Sequence, residues 1–117
     1  MSDRLPINEH EAQARELLVR LATAMLEGRA SFFEGAAQVL ELKAAVGGIA
    51  EGDPHFDAFV VIASETDHLP LNAQQHLWNA KALADLQPEF ERTEKWASGF
   101  APAACRGLIE RFRGATQ

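Results

Sequence analysis

Apolar residues recur with the 3.6-residue period of an α-helix along most of this chain, and that periodicity limits the fold more than any other feature. The first pattern begins at Asn8, which can cap free backbone amides, and Glu11 three residues later completes a capping box. Arg15 lies four residues after Glu11 and is predicted to pair with it on the solvent-exposed side. Gly28 ends the pattern. The apolar stripe of this predicted helix consists of Ala14, Leu17, Leu18, Leu21, Ala22 and Met25.

A second helical pattern begins at Ser31 and stops at the glycine pair 47–48. Ser31 is again followed three residues later by a glutamate, Glu34, as in a capping box. Gly35 lies one turn into this helix, where it costs about 1 kcal/mol relative to alanine. We expect that glycine to allow a close approach between two helices. The stripe of this helix consists of Phe33, Ala36, Ala37 and Leu40.

The third pattern is the one place where helix and strand compete. Asp53-Pro54 is typical of a helix cap followed by proline at the first helical position. The run 59–63 is also rich in residues that favour strands. One strand cannot form a sheet, and the chain offers no second candidate, so a helix is predicted. Its apolar positions are Phe56, Phe59, Val60 and Ala63.

The C-terminal half begins with a short, interrupted helical pattern. Asn72 can cap a helix that runs from Ala73 through Trp78 toward Leu86. Asn79 disturbs the polar–apolar rhythm of this pattern. The element is therefore predicted either as one helix or as two short pieces.

Gln87-Pro88 is predicted to start the last helix, which is long and carries an apolar stripe from Thr93 to Phe112. Pro102 falls inside that stripe, so we expect a kink near Ser98-Gly99, or two helices that meet there. The whole chain, residues 1–117, is thus predicted to be a single all-α domain, a compact bundle of four or five helices. The long stripe exceeds what one small core needs, which favours self-association as a homodimer.

Composition excludes several classes of protein. The 117 residues are 47% hydrophobic and 24% charged, as in ordinary globular domains, so neither a disordered nor a fibrous chain is expected. The net charge of −6 argues against nucleic-acid binding, which needs a basic face. The sequence has neither an apolar run long enough to span a membrane nor the layout of a signal peptide. With a single cysteine, Cys105, no internal disulfide is available, and we expect a cytoplasmic protein.

The segment Ser64–Pro70 concentrates two acids, two hydroxyls and one imidazole between an apolar helix and a proline. Polar residues gathered in a loop are one signal of a binding role, with Glu65, Asp67 and His68 as the candidates. The more ordinary interpretation is structural, because Asp67, or the two hydroxyl groups of the segment, could bond backbone groups where one helix ends and the next begins.

A metal site is a further alternative. Glu65 and His68 have the Glu-x-x-His spacing that, within a helix, sets a carboxylate and an imidazole on one face. His76 with His68 and either Glu65 or Asp67 could supply the three ligands of an open divalent-metal site. The spacing across Pro70 does not define a geometry, so binding without a cofactor is the first expectation and a divalent metal the second.

The remaining reactive or aromatic residues favour packing. Cys105 lies among apolar neighbours and is expected to be a buried small hydrophobe. Trp78 and Trp96 are expected in the core; the alternative for Trp78 is a binding anchor beside the segment Ser64–Pro70. The acids of the last helix alternate with bases and are predicted to form a solvated face: Glu89, Glu91 and Glu94.

The segment Ser64–Pro70 followed by Trp78 resembles a segment of small uncharacterised bacterial all-helical proteins. No activity is attached to that group, so the resemblance implies none for this chain. By size, charge and helicity the chain is also similar to immunity proteins, which bind basic toxin nucleases. No catalytic constellation stands out, so we expect a non-enzymatic protein that engages a basic protein partner through Glu65, Asp67, His68 and Trp78. The alternatives are the metal-binding protein or metalloenzyme, and a structural subunit with no site.

Overall fold

The computed structural model describes residues 9–47, 49 and 52–113, and all regular secondary structure in these residues is helical. This confirms the predicted all-α bundle. The predicted cap Asn8 and the second glycine of the pair 47–48 lie outside the described residues. The helices are α1 (Glu9–Leu26), α2 (Phe32–Val46), α3 (Pro54–Glu65), the single turn α4 (Asn72–Gln75), α5 (Ala80–Ala97) and α6 (Ala101–Arg113).

Side-chain caps start α2, α3 and α5. The hydroxyl of Ser31 accepts a hydrogen bond from the amide of Glu34, and Asp53 accepts one from the amide of His55, both at 3.0 Å. These two caps confirm the predicted starts of α2 and α3. Asn79 accepts a 2.7 Å bond from the amide of Ala82, so this residue begins α5.

The predicted start of the last helix at Gln87-Pro88 is wrong, because α5 runs without a break from Ala80 to Ala97 and contains Pro88. Pro88 has no amide hydrogen to donate to the carbonyl of Ala84. Ala84 is exposed, so water can satisfy that carbonyl and the helix continues. The cap at Asn79 also places Trp78 in the turn before α5 rather than inside a helix.

The long C-terminal stripe is divided between two helices that meet at the turn 98–100, one of the two predicted outcomes. Pro102 stands at the second position of α6, where a missing amide hydrogen costs little. The buried residues of α6 all belong to the hydrophobic core of the chain. These residues are Ala101, Ala104, Cys105, Leu108 and Phe112.

The core is formed by α1, α2, α3 and α6, which pack as neighbouring pairs. Its largest fully buried side chains are Phe56, Phe59, Leu18, Ile62, Leu108, Val39, Val46 and Cys105. α5 lies against α2 and buries a single residue, Ala97. None of the helices in the described ranges combines the length and apolar character needed to cross a bilayer.

Two details of α1 depend on its neighbours. Arg15, predicted on the solvent-exposed side, is instead buried; its Nε donates a 3.0 Å bond to the carbonyl of Val46 at the end of α2. This bond satisfies one of the carbonyls that a helix C-terminus leaves without a partner. Gly35 of α2 lies so close to Met25 of α1 that a β-carbon would overlap the thioether, which confirms the expected close approach.

Candidate functional site

The segment Ser64–Pro70 contains the end of α3 and a tight turn held by Thr66. The amide of Thr66 donates hydrogen bonds to the carbonyls of Ile62 and Ala63. The side-chain Oγ1 of Thr66 donates a further bond, 2.6 Å long, to the carbonyl of Ile62. The amide of Leu69 then donates to the carbonyl of Thr66 at 2.9 Å and closes the turn. Thr66 is buried, so one residue of the segment has a structural, helix-ending role.

The neighbouring polar residues face solvent. Glu65 is the last residue of α3, whereas His68 lies in the turn, so their Glu-x-x-His spacing does not set them on one helical face. The side chain of Asp67 is 82% exposed, and the imidazole of His68 is about half exposed. The segment thus has a buried anchor and a solvent-facing polar side.

His68 is paired with a carboxylate on a different helix. Its Nε2 lies 2.5 Å from Oε1 of Glu89 on α5, and its Nδ1 lies 3.9 Å from Oδ1 of Asp67. The hydrogen bond with Glu89 raises the pKa of His68 above its ordinary value, and the charges of Glu89, Asp67 and Glu65 act in the same direction. The neighbouring carboxylates therefore stabilise the cationic form of the imidazole relative to the neutral form.

A shallow cavity of about 540 Å³ lies beside this pair, where the end of α3 meets α5. Four of its lining residues follow helical spacing on α5, which places them on one face. We call it the Trp96 cavity; it is lined by Glu65, Glu89, Arg92, Thr93 and Trp96.

Trp96 differs from its predicted place in the core, since 42% of its surface is exposed. One side of the indole packs edge-to-face on Phe100, with the ring centroids 5.0 Å apart. The adjacent residue, Ala97, takes the position of α5 that faces the core, so Trp96 is turned toward the surface. The cavity therefore presents a half-exposed indole together with two acidic residues, Glu65 and Glu89.

The four candidate binding residues do not all meet. Glu65 lines the Trp96 cavity, His68 adjoins it through Glu89, and Asp67 is linked to it only through His68. Trp78 is exposed in the turn between α4 and α5 and does not line this cavity. The sequence had indicated Glu89 only as part of a solvated face. A continuous α5 would have placed Glu89 and Trp96 on one helical face, but nothing local indicates that this face meets the end of α3.

The alternative metal site is not assembled. Across residues 9–47, 49 and 52–113, no three His, Cys, Asp or Glu side chains come together as a group that could hold a metal ion. His76, at the end of α4, thus forms no such group with His68 and either Glu65 or Asp67. The donor set therefore does not fit a divalent metal, which needs at least three converging ligands.

Cys105 is buried in the core, as predicted. Burial raises the pKa of its thiol to about 11, with only a small opposing effect from the charge of Arg106. At neutral pH the group is therefore a thiol and not the thiolate that nucleophilic chemistry requires.

Comparison of the chain with protein-family models, with curated proteins and with solved structures finds no match. Function must therefore be argued from the arrangement of side chains. That arrangement offers a cavity with an aromatic surface and two carboxylates, which is suited to contact with a positively charged group.

Proposed function

We propose that this protein is a non-enzymatic binding module that engages a basic protein partner through the Trp96 cavity. The partner contributes a lysine or arginine side chain, whose charge meets Glu65 and Glu89 and whose alkyl stem lies on the indole. The observation that carries the proposal is the half-exposed indole of Trp96, which lines the same cavity as these two acidic residues.

Tryptophan suits this role because it buries a large apolar surface and attracts cations to its ring face. Tryptophan is also among the residues most enriched at the energetic centres of protein interfaces. The contact of Trp96 with Phe100 restrains the indole before binding, which reduces the entropy lost on association.

Charge supports a basic partner. The chain carries a net charge of −6, and Asp67 extends the acidic surface beyond the cavity. Arg92 lies in the same cavity and offsets part of its charge, so we expect a single cation to be accepted there. An acidic surface also accelerates encounter with a basic protein, and that effect weakens as salt is added.

The test begins with affinity purification from the native host and identification of any basic partner by mass spectrometry. The dissociation constant of the purified pair is then measured for the wild type, Trp96→Ala and Glu65→Lys. We expect each substitution to weaken binding by about ten-fold or more. Circular dichroism and thermal unfolding check that the variants are folded.

Trp78→Ala is the matched control, because the two indoles are almost equally exposed, at 41% for Trp78 and 42% for Trp96. Under the proposal the Trp78 variant binds within about two-fold of wild type, as expected for a residue outside the contact. A partner that is not basic, or equal losses from the two tryptophan substitutions, would contradict the proposal.

A further inference from the structure

A second cavity, of about 330 Å³, lies between the start of α2, the turn α4 and the part of α5 from Leu83 to Glu94. Its volume is within the range of small-molecule sites in proteins. α5 supplies one face of it through four residues at helical spacing: Leu83, Gln87, Phe90 and Glu94. α2 supplies Phe33 and Glu34 opposite them.

One part of the wall of this cavity is apolar and is formed by Phe33, Leu83 and Phe90. The rings of Phe33 and Phe90 meet edge-to-face with their centroids 5.4 Å apart, and Leu83 continues the apolar surface one helical turn from Gln87. Apolar walls of this kind favour the hydrocarbon part of a ligand, whose transfer from water is favourable in proportion to the area buried.

The charge of the lining has one sign. Glu34 and Glu94 are acidic, the other polar lining residues are a serine and two glutamines, and none of the described lining residues is a lysine, arginine or histidine. Glu94 is also held in place, because both of its oxygens accept hydrogen bonds from backbone amides of α2. A carboxylate positioned before a ligand arrives loses little freedom when it meets a cation.

We propose that this cavity binds a small organic cation, an ammonium group on an aromatic or aliphatic body. The body packs against Phe33, Leu83 and Phe90, and the ammonium group lies beside Glu34 and Glu94. This site is separate from the Trp96 cavity and does not depend on the proposed protein partner.

The experiment uses 2-phenylethylammonium as the probe and 2-phenylethanol as its neutral analogue of nearly the same shape. Each is titrated into the full-length protein and followed by two-dimensional amide NMR. We expect the cation to shift the resonances of Glu34 and Phe90 and to bind about ten-fold more tightly than the alcohol, because only the cation gains from the carboxylates. Added salt should narrow that difference.

The matched variants are Glu34→Gln in the cavity and Glu110→Gln, an exposed position on α6. The first should weaken binding of the cation several-fold, and the second should leave it unchanged. Equal affinity for the alcohol and the cation would overturn the proposal, as would no specific shifts. Shifts centred on the Trp96 indole would also overturn it, since they would place the cation in the other cavity.

Discussion

Oε2 of Glu94 accepts a 2.8 Å hydrogen bond from the backbone amide of Phe33, 61 residues earlier in the chain. Its other carboxylate oxygen accepts a 2.9 Å bond from the amide of Phe32. Amides at a helix N-terminus have no partner within the helix and carry the positive end of its dipole. The carboxylate of Glu94 supplies both the hydrogen-bond acceptors and the negative charge that the N-terminus of α2 favours. It also joins α5 to the rest of the bundle, to which α5 otherwise contributes a single buried residue, Ala97.

We expect Glu94→Gln to lower the free energy of unfolding by about 1–2 kcal/mol, because an amide side chain offers one neutral acceptor in place of two charged ones. Urea denaturation measures the change. Glu91→Gln is the matched control on the exposed side of the same helix and should change stability by less than about 0.5 kcal/mol. Equal effects of the two substitutions would show that the cap contributes nothing.

Thr66 and Asp67 separate the structural and exposed parts of the segment Ser64–Pro70. Thr66→Val keeps the shape of the side chain but removes its bond to the carbonyl of Ile62, so we expect a loss of about 1 kcal/mol. Asp67→Ala should change stability by less than about 0.5 kcal/mol, because the side chain is 82% exposed. Thermal or chemical unfolding of both variants compares the two losses of stability. A larger loss for Asp67→Ala than for Thr66→Val would contradict this assignment.

The pairing of His68 with Glu89 predicts a specific pH dependence. The folded protein holds the pKa of His68 above its ordinary value, so the stabilising contact is complete below that ordinary value and is lost as the pH rises through the raised pKa. NMR titration of the imidazole should show this pKa falling in Glu89→Gln. Glu91→Gln is the control and should leave the titration nearly unchanged, whereas an unchanged titration in Glu89→Gln would rule out the pairing in solution.

Because Gly35 contacts Met25, we expect Gly35→Ala to destabilise the protein only when Met25 is present. Gly35→Ala gains about 1 kcal/mol of helix propensity, but its methyl group overlaps the buried thioether of Met25. Overpacking of this kind typically costs about 1–3 kcal/mol, so a net loss of stability is expected.

In a Met25→Ala background, Gly35→Ala should instead be neutral or stabilising, because the methyl group then has space. Unfolding of the two single variants and the double variant forms a complete cycle. Stabilisation by Gly35→Ala in the wild-type background would contradict the close approach.

The caps at Ser31 and Asp53 and the close approach at Gly35 were predictable because each rests on a few adjacent residues. The passage of α5 through Pro88 was not. A local rule favours a helix start at Pro88, and only the exposure of Ala84 and the competing cap at Asn79 decide against it. The C-terminal stripe was predicted either to kink near Ser98-Gly99 or to divide into two helices there. The structure has two helices, and the second, α6, packs its buried residues into the core.

At the candidate site, too, residues close together in the sequence were predictable, whereas contacts between residues far apart in the chain were not. The sequence directed attention to Glu65, Asp67 and His68, since clustered polar residues in a loop are visible without a fold. It did not indicate that Glu89 would meet His68, 21 residues away, or that Trp96 would line a cavity with Glu65.

The all-helical class, the starts of α2 and α3 and the burial of Cys105 were all predictable from local patterns in the chain. These depend on apolar periodicity and on hydrogen bonds between residues a few positions apart. The roles of Glu89 and Glu94 follow instead from the packing of the helices, because each carboxylate contacts a partner from another element. The charge pattern along a helix shows which residues share a face, but the packing of the helices determines what that face meets.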